Sequence, residues 1–297
     1  MLRSAYGHDV PYGRFMAEPT AAGLARHCRE RATSDSGIWV LTPRPAAAPR
    51  LRVVLFPPVG GGVSCYAGLV RRLDENAGVQ LIGFDGPAFA QDASPDPALA
   101  DLARRCLDEL PIEVLAGEAA DSAARTDANV AADPADAAQL VFAGWSFGGA
   151  LAVEAARLCP SPVARVVVID TPAPAAAPAA DPETHAATER TFGGFLSDIR
   201  QTSGIELDPE RALADPAMAA RFAVYQQNLR LLNAWSPQPT TIPVHHLRAA
   251  DAPAENWQDW DRVAPIAQSA VLGGGHFDVF SDANLATVIH AIEGERP

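Results

Sequence analysis

The stretch VFAGWSFGGALAVEAA, residues 141–156, decides the fold class. An apolar run typical of a buried strand leads into Ser146, and a helical pattern leads out of it. Gly144 and Gly148 flank the serine in a G-x-S-x-G motif. A strand, a sharp turn and a helix are the context in which this motif presents a strained, exposed nucleophile. The alternative is a serine in a glycine-rich turn that carries no chemistry.

The alternation of strands and helices continues on both sides of the motif. Apolar, β-branched runs predict the other strands, at 37–45, 51–58, 79–87, 163–172, 242–251 and 269–275. Helical periods lie between most of them, as expected for a mostly parallel sheet with helices on both faces. Together with the serine motif, this order predicts an α/β-hydrolase fold.

Two segments interrupt the alternation. Residues 174–236 have a loop-like part followed by helical patterns, which predicts a helical lid over the carboxyl edge of the sheet. Residues 112–137 are acidic and rich in Ala and Asp, which predicts a mobile insertion. We therefore divide the chain into an N-terminal extension, 1–36, and a core made of 37–173 and 237–297.

Composition excludes several classes of function. The net charge of −13 argues against a nucleic-acid partner. No apolar stretch is long enough to span a bilayer and the N-terminus has no secretory pattern, so we expect a cytoplasmic protein without a membrane partner. The four cysteines form no C-x-x-C pair and no zinc pattern with histidine, which predicts free thiols and no metal site.

A serine nucleophile needs a general base, and in this fold the chain order is serine, acid, histidine. Of the seven histidines, His276 has the right order and place, in the glycine-rich loop LGGGHFDVF between the last strand and the last helix. The other histidines precede the serine or lie in the predicted lid, a strand or the terminal helix. They are His8, His27, His185, His245, His246 and His290.

Two carboxylates could orient the base, because both follow strands at the carboxyl edge of the sheet. Asp170 ends the strand after the nucleophile's helix, and Asp251 ends the next one. The spacing leaves both open. Tetrahedral intermediates also need two backbone N–H donors, an oxyanion hole. Phe147 follows the nucleophile, and Val59 is the first residue in FPPVGGG with an N–H after two prolines.

These stretches together resemble the thioesterase domains of nonribosomal peptide synthetases and polyketide synthases. The resemblance runs through LFPPVGGGVSCYAGLVRRL, GWSFGGALAVEAA, VVVIDTPAP and GGGHFDVF, and covers roughly residues 37–294. In the chain-terminating members the acid matches the strand end VIDTP, which favours Asp170. In the editing (type II) members it follows the later strand, which would be Asp251.

The resemblance implies a serine thioesterase of antibiotic and secondary-metabolite biosynthesis. Its substrate would be a polyketide or peptidyl chain on the phosphopantetheine arm of an acyl or peptidyl carrier protein, with no other cofactor. Ser146 would take the chain as an ester, which water or an internal nucleophile would release as an acid or a macrocycle. No carrier domain accompanies the motifs, so we expect action in trans.

Three other functions stay open. The first is a type II editing thioesterase that removes stray short acyl groups. The second is an esterase with a diffusible substrate, and the third is a binding protein of the same fold without activity. For a carrier protein, the candidate docking arginines are Arg71 and Arg72 on a helix and Arg26, Arg29 and Arg31 near the N-terminus.

Overall fold

A computed structural model describes residues 38–41, 49–74, 78–84, 98–115, 138–173, 192–253 and 259–294. The predicted N-terminal extension lies outside these residues. So do residues 116–137 of the predicted acidic insertion and residues 174–191 of the predicted lid.

The strands of the described residues form one seven-stranded sheet. In chain order they are β1 (Ile38–Val40), β2 (Leu51–Phe56), β3 (Val79–Phe84), β4 (Gln139–Trp145), β5 (Val163–Ile169), β6 (Val244–Ala249) and β7 (Ile266–Leu272). Their order across the sheet is β1-β3-β2-β4-β5-β6-β7. β1 is antiparallel to β3 and all other pairings are parallel, which confirms the prediction of a mostly parallel sheet.

The α-helices lie mainly in the connections between these strands. Among the described residues they are α1 (Ala67–Asp74), α2 (Leu99–Glu109), α3 (Ile112–Leu115), α4 (Phe147–Leu158), α5 (Phe192–Ser203), α6 (Pro209–Ala214), α7 (Pro216–Asn233) and α8 (Asp282–Glu293). Short 3₁₀ helices occupy Ser64–Tyr66 and Trp260–Arg262. Helix α4 follows β4 directly and contacts both β4 and β5.

The two faces of the sheet carry separate hydrophobic clusters. Along β2, Val54 and Phe56 join a cluster with residues of α2 and α4, whereas Val53 and Leu55 join one with residues of α1 and α8. Successive side chains of a strand point to opposite faces, so a strand that is covered on both faces is apolar throughout. This is why the central strands appear in the sequence as continuous apolar runs.

Helices α5, α6 and α7 form the helical insertion, residues 192–233, between β5 and β6. Helix α5 has apolar residues at helical spacing, and its Phe195 packs with Tyr225 of α7 in a third buried cluster. Asp208 caps α6 by accepting hydrogen bonds from the N–H groups of Glu210 and Arg211. The helical content of this segment therefore agrees with the sequence, while its role as a lid stays a prediction.

The first four residues of the predicted mobile insertion form a helix, whereas the sequence predicted no regular structure there. Residues 112–115 form the short helix α3, and Val114 is buried against the cluster that also contains residues of α2. The apolar pair at the end of α3, Val114 and Leu115, explains the difference because it contributes to the core. Among the described residues, no helix has the length and apolar character required to cross a membrane.

Candidate active site

Ser146 occupies the sharp turn between β4 and α4. Its φ of 57° lies in the left-handed region, which residues other than glycine rarely adopt. At this turn the backbone segments approach each other closely. A Cβ on Gly144 would lie 2.0 Å from the carbonyl oxygen of Gly148, and one on Gly148 would lie 2.4 Å from that of Phe56. Any side chain at either position would clash with the backbone, so both positions require glycine.

Hydrogen bonds on both sides of its backbone hold Ser146 in this conformation. Its N–H donates to the carbonyl oxygen of Ile169 at 2.9 Å. Its own carbonyl oxygen accepts from the Thr171 hydroxyl at 2.7 Å and from the N–H of Gly149 at 3.0 Å. The end of β5 thus fixes the turn that contains Ser146. Sequence reasoning missed Thr171, which follows directly after Asp170.

Asp170 lies at the end of β5, is 3% exposed, and contacts His276. Its Oδ2 atom is 2.5 Å from Nδ1 of His276, and its Oδ1 atom accepts from the N–H of Ala249 at 2.6 Å. An ionised carboxylate only accepts, so Nδ1 of His276 carries the proton in this pair. Nε2 of the neutral imidazole is then free of a proton and can act as a base.

Asp251, the alternative acid, lies in the turn after β6 and is exposed. Its N–H donates to the carbonyl oxygen of Gly274 at 3.2 Å. Among the described residues, its carboxylate makes no hydrogen bond with His276. Of the two carboxylates that the sequence left open, the structure therefore brings Asp170 to the histidine.

His276 lies against the aromatic ring of the residue before Ser146. The imidazole and the indole of Trp145 have ring centroids 4.8 Å apart, and the Phe277 ring meets the imidazole edge-on at 5.2 Å. Within the described residues, Oγ of Ser146 makes no hydrogen bond with His276. Such bonds are often long in proteins without substrate and shorten when it binds.

The predicted oxyanion donors lie in the turn after β2 and at the start of α4. The N–H of Gly61 donates to the carbonyl oxygen of Pro58 at 2.8 Å, which closes a turn around Val59. Within the described residues, the N–H of Val59 has no hydrogen-bond partner. Phe147 is the first residue of α4, and the first N–H groups of a helix have no acceptor inside it.

Tyr66 connects the ends of the two strands that precede these donors. Its buried hydroxyl donates to the carbonyl oxygen of Phe56 at 2.6 Å and accepts from the N–H of Trp145 at 3.0 Å. The ends of β2 and β4 are thereby fixed relative to each other. This role could not be predicted from the sequence, because no local pattern relates Tyr66 to the ends of β2 and β4.

The other described histidines are His245, His246 and His290. His245 places Nδ1 at 2.9 Å from the carbonyl oxygen of Ala291, and His290 is on α8. Burial lowers the pKa of His246 to about 4, so that this histidine is neutral at physiological pH. Three further histidines lie outside the described residues, and they are His8, His27 and His185.

Three of the four cysteines lie among the described residues. Cys65, Cys106 and Cys159 are free thiols, and burial raises the pKa of Cys106 to about 12. Cys28 lies outside the described residues. In the described ranges, no group of three or more His, Cys, Asp or Glu side chains converges where a metal ion could bind.

Arg71 and Arg72 are exposed in the last turn of α1. Because β2 and β3 are parallel, the segment that joins them must run from the carboxyl end of β2 back to the amino end of β3. This segment contains α1. This pair therefore lies on the return path away from Ser146. The other candidate docking arginines, Arg26, Arg29 and Arg31, lie outside the described residues.

A parallel sheet with a serine turn after one central strand and an acid–histidine pair after later strands defines an α/β-hydrolase fold. The family model described as "Thioesterase domain" matches residues 124–295. This range is more than half of the chain, and the chain belongs to that family, whose members act on thioesters. The resemblance predicted from the sequence motifs is thus confirmed.

Solved structures show the same fold. The RedJ thioesterase from the prodiginine pathway of Streptomyces coelicolor is 23% identical with a TM-score of 0.56, and the match covers 89% of this chain and 96% of that one. The NocB thioesterase domain from the nocardicin cluster is 20% identical with a TM-score of 0.53, covering 83% of this chain and 94% of that one.

A four-domain nonribosomal peptide synthetase, holo-AB3403, also aligns over 99% of this chain and 23% of its own, with 19% identity and a TM-score of 0.62. At these identities the likeness is one of fold. A comparison with curated protein sequences finds no match.

Proposed function

We propose that this protein is a serine thioesterase that releases a polyketide or peptidyl chain from a separate carrier protein, by hydrolysis or macrocyclisation. The observation that carries the proposal is the hydrogen bond between Asp170 and His276, beside a serine held at a φ of 57°. A buried carboxylate, an oriented imidazole and a strained serine are the parts that nucleophilic acyl transfer requires.

In the proposed first half-reaction, Oγ of Ser146 attacks the thioester carbonyl carbon while Nε2 of His276 takes its proton. The N–H groups of Val59 and Phe147 stabilise the oxyanion. The C–S bond then breaks, and the thiolate of the phosphopantetheine arm leaves with the proton from His276. Ser146 keeps the acyl chain as an oxygen ester.

In the second half-reaction, His276 takes a proton from water or from an internal hydroxyl or amine of the chain. The new nucleophile attacks the ester, and Oγ of Ser146 recovers its proton from Nε2. Water gives an acid and an internal nucleophile gives a ring. Asp170 keeps the imidazole in one orientation and stabilises its charged form throughout.

The choice of acid supports chain release over editing. The sequence resemblance associates the position of Asp170 with chain-terminating members and that of Asp251 with editing members. In the structure His276 pairs with Asp170. Solved neighbours of the same fold are described as thioesterases from the nocardicin cluster and the prodiginine biosynthetic pathway, which is in line with a role in biosynthesis.

The test is product analysis with a carrier protein loaded with acyl or peptidyl chains of increasing length. We expect long chains to leave as acids or rings, and Ser146→Ala to abolish release. Ser64→Ala is the matched control, because Ser64 is an exposed serine close to the oxyanion turn. Release of short acyl groups alone would favour editing, and turnover of free oxygen esters without carrier thioesters would favour an esterase.

A further inference from the structure

The orientation of the Val59 N–H is set by the turn that contains it. In a trans peptide the C=O and N–H bonds point in opposite directions. The carbonyl oxygen of Pro58 points into the turn, where it accepts from the N–H of Gly61 at 2.8 Å. The N–H of Val59, which belongs to the same peptide group, therefore points out of the turn.

A side chain from the helical insertion holds the next peptide group. Nδ2 of Asn228, on α7, donates to the carbonyl oxygen of Val59 at 3.0 Å. Because the carbonyl oxygen of Val59 can only accept, the NH₂ group of the Asn228 side chain must be the group that faces it. Asn228 is buried, and the contact joins residues 169 positions apart in the chain.

The same helix face is anchored to the rest of the insertion. Tyr225, three residues before Asn228 and thus on the same face of α7, donates its hydroxyl to the carboxylate of Asp198 on α5. The side chain of Val59 packs against the buried cluster that contains Tyr225. Both the carbonyl group and the side chain of Val59 are therefore held by the helical insertion, while its N–H is left for a ligand.

We propose that Asn228 is a positioning residue that orients the Val59 N–H for the oxyanion, and that the helical insertion thereby completes the active site. This inference rests on the proposed function, since it gives a role to the oxyanion donor of that mechanism. It assigns to α7 a part in transition-state stabilisation, in addition to any part it has in covering the substrate.

The alternative is that Asn228 only satisfies a buried carbonyl group. Removal of a direct oxyanion donor lowers kcat by about 10²- to 10³-fold. A positioning residue acts through the donor, so we expect a smaller loss, of about 10- to 100-fold, in kcat with KM unchanged. A purely structural role would lower the melting temperature without this selective loss.

The experiment compares Asn228→Asp with Gln227→Glu. Asn228→Asp keeps the shape but places a carboxylate oxygen against the Val59 carbonyl oxygen. Gln227→Glu adds the same charge at the adjacent position of α7, where the side chain lines a cavity between α2, α4 and α7. Asn228→Ala removes the contact without adding charge. The readouts are kcat, KM, the melting temperature, and the rate at which a fluorophosphonate labels Ser146.

We expect both Asn228 variants to lose kcat and labelling rate by at least tenfold, while Gln227→Glu stays within about threefold of wild type. Equal rates in all four proteins would overturn the role of Asn228 and leave the proposed function intact, because wild type would still be labelled. Failure of wild type to be labelled at Ser146 would overturn both.

Discussion

Thr171→Val tests whether the end of β5 fixes the turn that contains Ser146. Thr171 is fully buried, and its hydroxyl donates to the Ser146 carbonyl oxygen at 2.7 Å. Valine has nearly the same shape but replaces the hydroxyl with a methyl group. The substitution therefore removes one hydrogen bond from the turn and places a methyl group against the Ser146 carbonyl oxygen.

The magnitude follows from what remains after the substitution. A buried carbonyl group that loses its partner costs about 1–3 kcal/mol. The Ser146 carbonyl keeps the bond from the Gly149 N–H at 3.0 Å, so it stays half satisfied. We therefore expect the free energy of unfolding to fall by about 1–2 kcal/mol. Holding a residue in a sparsely populated backbone conformation costs about 1–3 kcal/mol. The loss of a hydrogen bond of similar energy therefore allows Ser146 to leave its strained conformation.

Urea unfolding and the rate of Ser146 acylation by a thioester measure the two effects. We expect Thr171→Val to acylate about 5- to 30-fold more slowly than wild type, the range to which a loss of about 1–2 kcal/mol corresponds. Thr171→Ser is the control, because it keeps the hydroxyl and loses only the methyl group. If Val and Ser variants acylate at the same rate, the hydroxyl has no part in holding the nucleophile.

Two further predictions concern the acid and a buried histidine. Asp170→Asn lowers kcat by about 10³- to 10⁴-fold and Asp251→Asn changes it little, as steady-state kinetics would show; the reverse order would assign the acid to Asp251. Because burial lowers the pKa of His246 to about 4 from 6.5, the unfolded chain binds this proton first as the pH falls. The free energy of unfolding then decreases between about pH 6.5 and 4, by up to about 3 kcal/mol, and His246→Phe reduces this decrease in urea titrations. An equal decrease in wild type and variant would contradict the assignment.

Much of the sheet could be predicted because its strands are covered on both faces. The continuous apolar runs of β2, β4 and β5 follow directly from that burial. Strand β7 begins at Ile266, three residues before the predicted start at 269. It is an edge strand with alternating exposure, and Gln268 and Ser269 interrupt its apolar pattern. Continuous apolar runs mark strands that are buried on both faces, so they do not indicate where such an edge strand begins.

The candidate site was predictable only as far as chain order and strand ends define it. Ser146, Asp170 and His276 each follow a strand, and parallel strands bring such positions to one edge of the sheet. Strand ends alone left two acids open, because Asp251 follows a strand in the same way. Contacts between distant segments, such as that of Asn228 with Val59, leave no local pattern in the sequence.

The reacting residue is identified by locating the acyl group after wild-type protein is mixed with a carrier-bound or pantetheine thioester and quenched. Intact-mass measurement detects the adduct, and fragmentation of the peptide assigns the modified residue. We expect a single acyl ester on Ser146 that is lost on longer incubation and is missing in Ser146→Ala. An adduct on another residue such as Cys65, or the same adduct in Ser146→Ala, would contradict it.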